Sequence, residues 1–337
     1  MASVNLSASP WLIRLFDGVR FPLFALGMSA ALASFVFIEM LAITLYPNMS
    51  GDYWMWGDEI SLDLATDIVF SILFGYLVAV PYFLHKKAVR DFLNLRPTLS
   101  CDDNKYDSWL VRVRNTARIS LYVAAALSTA VGYLNFLDQG RWMGGEQMKT
   151  FLHTFVLFRT LAIMLLSAYL FAVIAHRFAD IKLLNLERVT PFSQHALRGV
   201  LVLMLLIAIL SLLGTTMPFL KFENEVIFVL AMPIITAAAI FLIPLYPLHR
   251  RIVAAKRTEL ERVQADIHRE NEARIAGNEN WARLSGLIAY KQEVGRVSTW
   301  AFNTPTVLRF SLYVSLGIGS WLGAALVERW LGTLLGS

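Results

Sequence analysis

The chain has 337 residues, of which 57% are hydrophobic and 16% are charged, whereas about 25% of the residues in an ordinary soluble domain are charged. This composition excludes an ordinary soluble protein, and the single cysteine, Cys101, excludes an intrachain disulfide. The apolar residues form runs long enough to cross a bilayer. We therefore predict an all-α protein: a polytopic membrane bundle of about seven transmembrane helices, with a cytoplasmic helical arm between the sixth and the seventh.

The first residues predict a short helix that lies in the membrane interface. Ser9-Pro10 is a typical helix start, and Arg14 lies opposite an apolar side that consists of Trp11, Leu12, Leu15 and Phe16. A cleaved signal peptide is the alternative, because the next apolar run contains Met28-Ser29-Ala30. That run continues to Tyr46, which is longer than the roughly 7–15 residues of a signal-peptide core. We therefore predict an uncleaved first span.

Hydropathy predicts that the spans cover residues 21–46, 64–84, 116–136, 151–175, 197–219, 226–247 and 306–327. The chain then divides into an interfacial helix with a six-span bundle (1–248), a cytoplasmic helical arm (249–304), and a seventh span with a short outer tail (305–337). Small residues four apart allow helices to approach closely, within the bundle or between two copies. Such pairs occur at Ser29/Ala33, Ser128/Gly132 and Gly319/Gly323.

The placement of lysine and arginine predicts the orientation of the spans. With the N-terminus in the cytoplasm, 25 of the 30 basic residues fall in inner segments, four fall in outer segments, and Arg159 lies within a span. Basic residues accumulate on the cytoplasmic side of membrane proteins. We therefore expect a cytoplasmic N-terminus, a cytoplasmic arm and a C-terminus outside. The net charge of +5 follows from this topology and does not indicate nucleic-acid binding.

Three ionisable residues fall inside the predicted spans: Glu39, Asp67 and Arg159. Counted from the outer span ends they lie about 10, 5 and 12 Å deep, so we expect them to meet, with His153 and Asn135 nearby. A charge in hydrocarbon is costly unless it is paired or hydrated. The cluster would be an ion pair that orients helices, a hydrated site that conducts ions or relays protons, or a contact with a lipid headgroup or partner helix. An acidic outer surface would favour a cation in a conducting site.

The long polar stretch at 249–299 holds 10 of the 30 basic residues. Two helices are predicted in it, 250–275 and 281–299, separated by Gly277-Asn278. The apolar residues expected to dock a partner are Leu260, Val263, Ile267, Trp281 and Leu284. Three interpretations stay open: a hairpin that packs on itself or on the inner loops, a surface for a cytosolic protein or a second copy, and docking to a calmodulin-like protein or to anionic lipid.

Common enzyme and cofactor motifs are missing from the sequence. It contains no Gly-x-Ser-x-Gly, no His-Glu-x-x-His, no P-loop and no Gly-x-Gly-x-x-Gly. The acidic inner loop at 101–107 loosely resembles a calcium loop but lacks the turn glycine and the distal glutamate of an EF-hand. We therefore predict no metal, no cofactor and no enzymatic activity; a lipid-modifying enzyme with an unusual site is the alternative.

The segment that returns to the membrane resembles part of a group of bacterial proteins. It reads Val297-Ser298-Thr299-Trp300-Ala301-Phe302-Asn303-Thr304-Pro305, and it continues through Leu308–Tyr313 to Gly319–Glu328. It is similar to the C-terminal segment of bacterial multi-pass inner-membrane proteins of unassigned function. The resemblance implies a bacterial inner-membrane location and brings no activity with it.

Two functions follow from these features as hypotheses. The first is a channel or transporter for an ion or small solute that uses Glu39, Asp67 and Arg159. The second is a non-catalytic membrane scaffold or accessory subunit whose arm recruits a partner.

Overall fold

The computed structural model describes residues 22–45, 57–139, 145–216, 226–275, 281–302 and 305–317, together with Gly319 and Gly323. The predicted all-α bundle is confirmed, since within these ranges the one β pairing is an isolated bridge between Leu99 and Ala179. The helices are α1 (Pro22–Leu45), α2 (Gly57–Asn94), α3 (Asp103–Gln139), α4 (Gly145–Phe178), α5 (Thr190–Thr216), α6 (Val226–Ile275) and α7 (Trp281–Arg296), followed by α8 (305–317).

Five helices of the described part are long and apolar enough to cross a membrane. Their apolar stretches are Asp67–Asn94, Asp103–Leu134, Phe151–Phe178, Leu183–Leu210 and Ile235–Glu272, which correspond to the predicted second to sixth spans. The predicted first and seventh spans lie only partly among the described residues, so the count of seven stays a prediction. The predicted interfacial helix lies outside them.

The helices extend beyond the apolar runs from which they were predicted. α2 continues to Asn94, although hydropathy ends the second span at residue 84, and α3 begins at Asp103 rather than at residue 116. These extensions contain lysine, arginine and leucine, which are good helix formers, so a helix continues where its sequence turns polar. Both helices therefore extend past the apolar layer into the polar region at the predicted inner side.

α2 packs against α1, α3, α4 and α5. It runs in the same direction as α4. The Thr160 hydroxyl donates to the Leu77 carbonyl at 3.3 Å, and His153 Nε2 lies 3.4 Å from the Phe70 carbonyl oxygen. Between these two contacts both helices advance by seven residues, so they run in parallel. Two spans with one other span between them in the chain are expected to cross the membrane in the same direction.

The closest helix crossing joins α1 to α2 through glycine. A Cβ atom placed on Gly75 would lie 2.3 Å from the carbonyl oxygen of Gly27 and 2.8 Å from the Cβ of Ala31. The predicted pair Ser29/Ala33 is exposed instead, because the contact uses Gly27 and Ala31, which are also four residues apart. Small residues do bring these helices together, but on the opposite face of α1.

Backbone pairing joins the inner loops to one another and to α6. The Ser100 N–H donates to the Phe178 carbonyl at 2.9 Å, and the Asp180 N–H donates to the Thr98 carbonyl at 2.8 Å. Arg251, on α6, donates through Nη1 to the Ala179 carbonyl at 2.6 Å. The α2–α3 loop, the α4–α5 loop and the start of the arm therefore form one connected surface.

The arm is a helical hairpin whose first half is a continuation of the sixth span. α6 has 50 residues, which corresponds to a length of about 75 Å, and the predicted boundary at 248/249 falls inside it. α7 packs back along α6, where Arg283 pairs with Glu270 at 2.9 Å and the Tyr290 hydroxyl donates to Glu259 at 2.8 Å. α7 ends at Arg296, three residues before the predicted end; Gly277-Asn278 lies outside the described residues.

Candidate functional site

The structure separates Arg159 from Asp67, two members of the predicted intramembrane cluster. The guanidinium carbon of Arg159 lies 4.7 Å from the centroid of the Tyr82 ring. Tyr82 follows Asp67 on α2 at a distance of about 22 Å along the helix axis. The expected contact between Asp67 and Arg159 is therefore not formed. Residue 160 lies level with residue 77, so the outer ends of the two spans lie at different depths. The depth estimate had assumed that they lie at the same depth.

The other predicted members of the cluster lie further out or outside the described residues. His153 packs against Phe70 and Phe74, with ring centroids 5.4 and 5.3 Å apart, and Asp67 is half-buried near the same level. The side chains of Glu39 and Asn135 are not among those described, so a contact of Glu39 with Asp67 or His153 stays a prediction.

Arg159 lies inside the bundle beside aromatic and polar groups. Its side chain is 9% exposed, and its Nε is buried without a hydrogen-bond partner. His85 lies three residues after Tyr82 on α2, and its Nδ1 is 3.4 Å from the Thr116 hydroxyl of α3. The arginine therefore lies near the junction of α2, α3 and α4, among aromatic and neutral polar side chains.

A buried ion pair that the sequence analysis missed links α2 to α5. Asp91 is 2% exposed and pairs with Nη1 of Arg198. The Nδ1 of His195 lies 3.9 Å from the same carboxylate oxygen, and the His195 ring stacks on Phe171 with centroids 4.1 Å apart. The pair fixes the inner end of α2 against the beginning of α5.

The sequence does contain a signal for this pair. Leu84, Ala88 and Leu95 are buried at spacings of four and seven, which is the periodicity of one helix face. Asp91 falls on the same face, although hydropathy assigns it to a loop. An acidic residue within an apolar stripe of this kind predicts a buried partner.

In the arm, only part of the predicted docking set is available to a partner. Val263 is 1% exposed and lies within the hairpin, so it cannot contact another protein. Leu260, Ile267 and Leu284 are half-buried, whereas Trp281 is 58% exposed. The burial of Val263 agrees with the expectation that the arm packs on itself. The hydrogen bond to Glu259 also raises the pKa of Tyr290, as expected for a phenol beside a carboxylate.

Basic side chains hold the base of the arm in place. Lys256 Nζ donates to the carbonyls of Gly295 and Val297 at 2.7 and 2.8 Å, where α7 ends and its carbonyls need partners. The Nδ1 of His249 donates to the Thr299 carbonyl at 2.8 Å, and its ring stacks on Trp300 with centroids 4.0 Å apart. These contacts connect the return segment to α6.

An open groove lies between the arm and the α4–α5 connection. We call it the arm groove: residues 183–187 of the 3₁₀ helix Leu183–Val189 form one wall, and the other consists of Ala289, Gln292, Glu293, Arg296 and Val297. Its volume is about 900 Å³. One wall is therefore rich in leucine and the other is polar, which suits an amphipathic ligand.

The acidic residues of the loop at 101–107 pair with basic neighbours. Asp103 pairs with Arg96, and Asp102 lies 3.1 Å from Lys105. Among the residues that the structure describes, no three histidine, cysteine or acidic side chains are grouped so that they could hold a metal ion.

No protein-family model, curated protein or solved structure matches the chain. The resemblance of its C-terminal segment to bacterial inner-membrane proteins is therefore an expectation from the sequence, and the function has to be argued from the geometry above.

Proposed function

We propose that this chain is a membrane-embedded docking platform, a scaffold or accessory subunit whose arm groove receives an amphipathic helix of another polypeptide. The charge asymmetry of the sequence supports an orientation with the arm in the cytoplasm of a bacterial cell. The single observation that carries the proposal is a groove of about 900 Å³ that is open and built from two well-anchored elements.

The anchoring of both walls supports a preformed site. Lys256 and His249 hold the end of α7 against α6, and Arg251 connects α6 to Ala179, shortly before the leucine wall. A surface that is already ordered loses little conformational entropy when a partner binds. Most of the free energy gained by burying apolar surface would then contribute to the affinity for the partner.

The chemistry of the groove supports a helical partner. Leu184 on its wall is 59% exposed, and Ile288 and Trp281 extend the apolar surface along α7 with 44% and 58% of their surface exposed. Residues 281 and 288 are two helical turns apart, so they lie on one face. A partner helix with apolar residues at spacings of three, four and seven would fit this line.

Charge adds a requirement on the partner. The groove wall carries Glu187 and Glu293 against a single basic residue, Arg296. We therefore expect lysine or arginine beside the apolar stripe of the partner helix, which would also make binding sensitive to salt.

Site-specific photo-crosslinking in intact cells tests the proposal. A photoreactive residue at position 184 or 288 should crosslink to one and the same polypeptide, at a residue on the apolar stripe of a helix. The same probe at Arg257, whose side chain is 81% exposed and outside the groove, should not. Equal products from the control position, or crosslinks only to lipid or to a second copy of the chain, would contradict a dedicated helix site.

Movement of an ion or small solute through the bundle is a second candidate. It is favoured by Arg159, a buried cation whose Nε has no hydrogen-bond partner, because ionisable residues within membrane bundles commonly belong to solute pathways. Glu39 and Asp67 would then belong to the outer part of that pathway. This candidate requires that a ligand reach Arg159.

A further inference from the structure

We propose that Arg159 is the centre of an anion-binding site inside the bundle, at the junction of α2, α3 and α4. The ligand would be one carboxylate or phosphate group, supplied by a soluble anion or by the headgroup of an acidic phospholipid. This inference does not depend on the arm groove.

The first argument is a buried positive charge without a counterion. Arg159 is 9% exposed, and its Nε has no hydrogen-bond partner, yet a guanidinium stays protonated in proteins. Among the described carboxylates, Asp91 is already paired with Arg198, and Asp67 is separated from Tyr82 by about 22 Å along α2. Burial has removed water from Nε of Arg159, and no described acidic group replaces that water.

The second argument is the way in which Tyr82 contacts the guanidinium. The tyrosine is 7% exposed, and its ring centroid lies 4.7 Å from the guanidinium carbon, so the ring covers part of the cation. The N–H donors of an arginine lie in the guanidinium plane and form a fork that matches a carboxylate or a phosphate. A cation–π contact therefore leaves that fork available to an anion.

The third argument is that the charges nearest to the site are positive. The hydroxyl proton of Thr116 is donated to the Val113 carbonyl at 2.7 Å, and Nδ1 of His85 lies 3.4 Å from the same hydroxyl, so these two side chains join α2 to α3 and leave the binding of an anion to the arginines. The charges that act on His85 are those of Arg159 and Arg114. A site with positive charges on two sides attracts anions and repels cations.

Arg114 also indicates a route to the site. It is exposed on the inner half of α3, and Lys86 is exposed next to His85 on α2. Two basic residues at the entrance would raise the local concentration of anions. We therefore expect the ligand to enter from the inner side, where both soluble phosphates and acidic headgroups are present.

Thermal unfolding of the purified full chain in mild detergent tests the site. Inorganic phosphate, compared with chloride at equal ionic strength, and phosphatidylglycerol, compared with phosphatidylcholine, are added in separate arms. We expect at least one anion to raise the Tm by a few degrees, because a ligand of the native state stabilises it. Stabilisation by phosphate alone identifies a soluble anion, and stabilisation by phosphatidylglycerol alone identifies a headgroup.

Three variants assign the effect to Arg159. Arg159→Gln should bind the anion at least about tenfold more weakly, and without ligand its Tm should be unchanged or higher, because the unpaired charge is gone. Arg159→Lys, which keeps the charge but loses the fork, should bind with intermediate affinity and serves if the first variant does not fold. Arg257→Gln, on the exposed arm, should respond as the parent does. The proposal is overturned if no anion stabilises the parent chain, or if Arg159→Gln responds as fully as the parent.

Discussion

The buried pair of Asp91 and Arg198 allows a quantitative prediction, because its two members differ in their access to water. The Asp91 side chain is 2% exposed, whereas that of Arg198 is 23% exposed. Arg198→Met removes the cation and leaves the carboxylate inside the protein, whereas Asp91→Asn removes the carboxylate and leaves a cation that reaches solvent. The free energy of unfolding should therefore fall more in the first variant than in the second.

The magnitudes follow from the burial of each group. Removing one partner of a buried ion pair costs about 3–5 kcal/mol, and we expect Arg198→Met to fall in that range. Asp91→Asn keeps an acceptor for the arginine, so its effect should resemble the loss of a charged hydrogen bond, about 1.5–3 kcal/mol. The double variant should lose less than the sum of the two, because neither charge is then left alone.

The measurement is equilibrium unfolding of the three variants and the parent in one detergent. We expect Arg198→Met to lower the free energy of unfolding more than Asp91→Asn does. The loss in the double variant should be smaller than the sum of the two single losses. If Asp91→Asn were the more damaging single change, or if the two effects were simply additive, the pair would not be a coupled buried interaction, and our account of how α2 is fixed to α5 would be wrong.

Two further predictions concern the α1–α2 crossing and the orientation. Gly75→Ala should destabilise the protein by about 1–3 kcal/mol, because its Cβ would lie 2.3 Å from a backbone oxygen. Gly27→Ala, whose Cβ would lie 3.3 Å from the facing oxygen, should lower the Tm less than Gly75→Ala does, and equal losses in the two variants would refute the crossing. An impermeant maleimide should label Cys101, the single cysteine, in inside-out vesicles and not in intact cells, and the opposite pattern would reverse the topology. Burial raises the pKa of its thiol, so labelling should accelerate as pH rises, because the thiolate is the nucleophile.

Long apolar runs were sufficient to predict the bundle, since a chain in hydrocarbon must satisfy its backbone within helices. The lengths of those helices could not be predicted in this way. Hydropathy measures the transfer of side chains to lipid, and it carries no information on whether a helix continues into water. α2 therefore extends to Asn94, and Asp91 was assigned to a loop although it lies on a buried helix face.

The polar cluster shows a second limit of sequence reasoning. The depth of Arg159 was counted from the end of its own span, which assumes that all spans begin at one level. The register of α4 against α2 is set by packing, as the contact of Thr160 with Leu77 shows, and that information is not local in sequence. In the arm, periodicity singled out Val263 as a packing position, but it could not show that this residue would be buried within the hairpin instead of docking a partner.

The uninterrupted course of α6 has a mechanical consequence. α6 stays helical through Pro244 and Pro247 at the predicted inner end of the span, so a small change of tilt within the lipid is carried into the arm and becomes a larger displacement at its far end. The 26 residues after His249 extend about 39 Å, and over that distance a rotation of ~5° moves the tip by ~3 Å. That is about the rise of two residues along a helix, enough to change the register between the arm and a helix docked as proposed above.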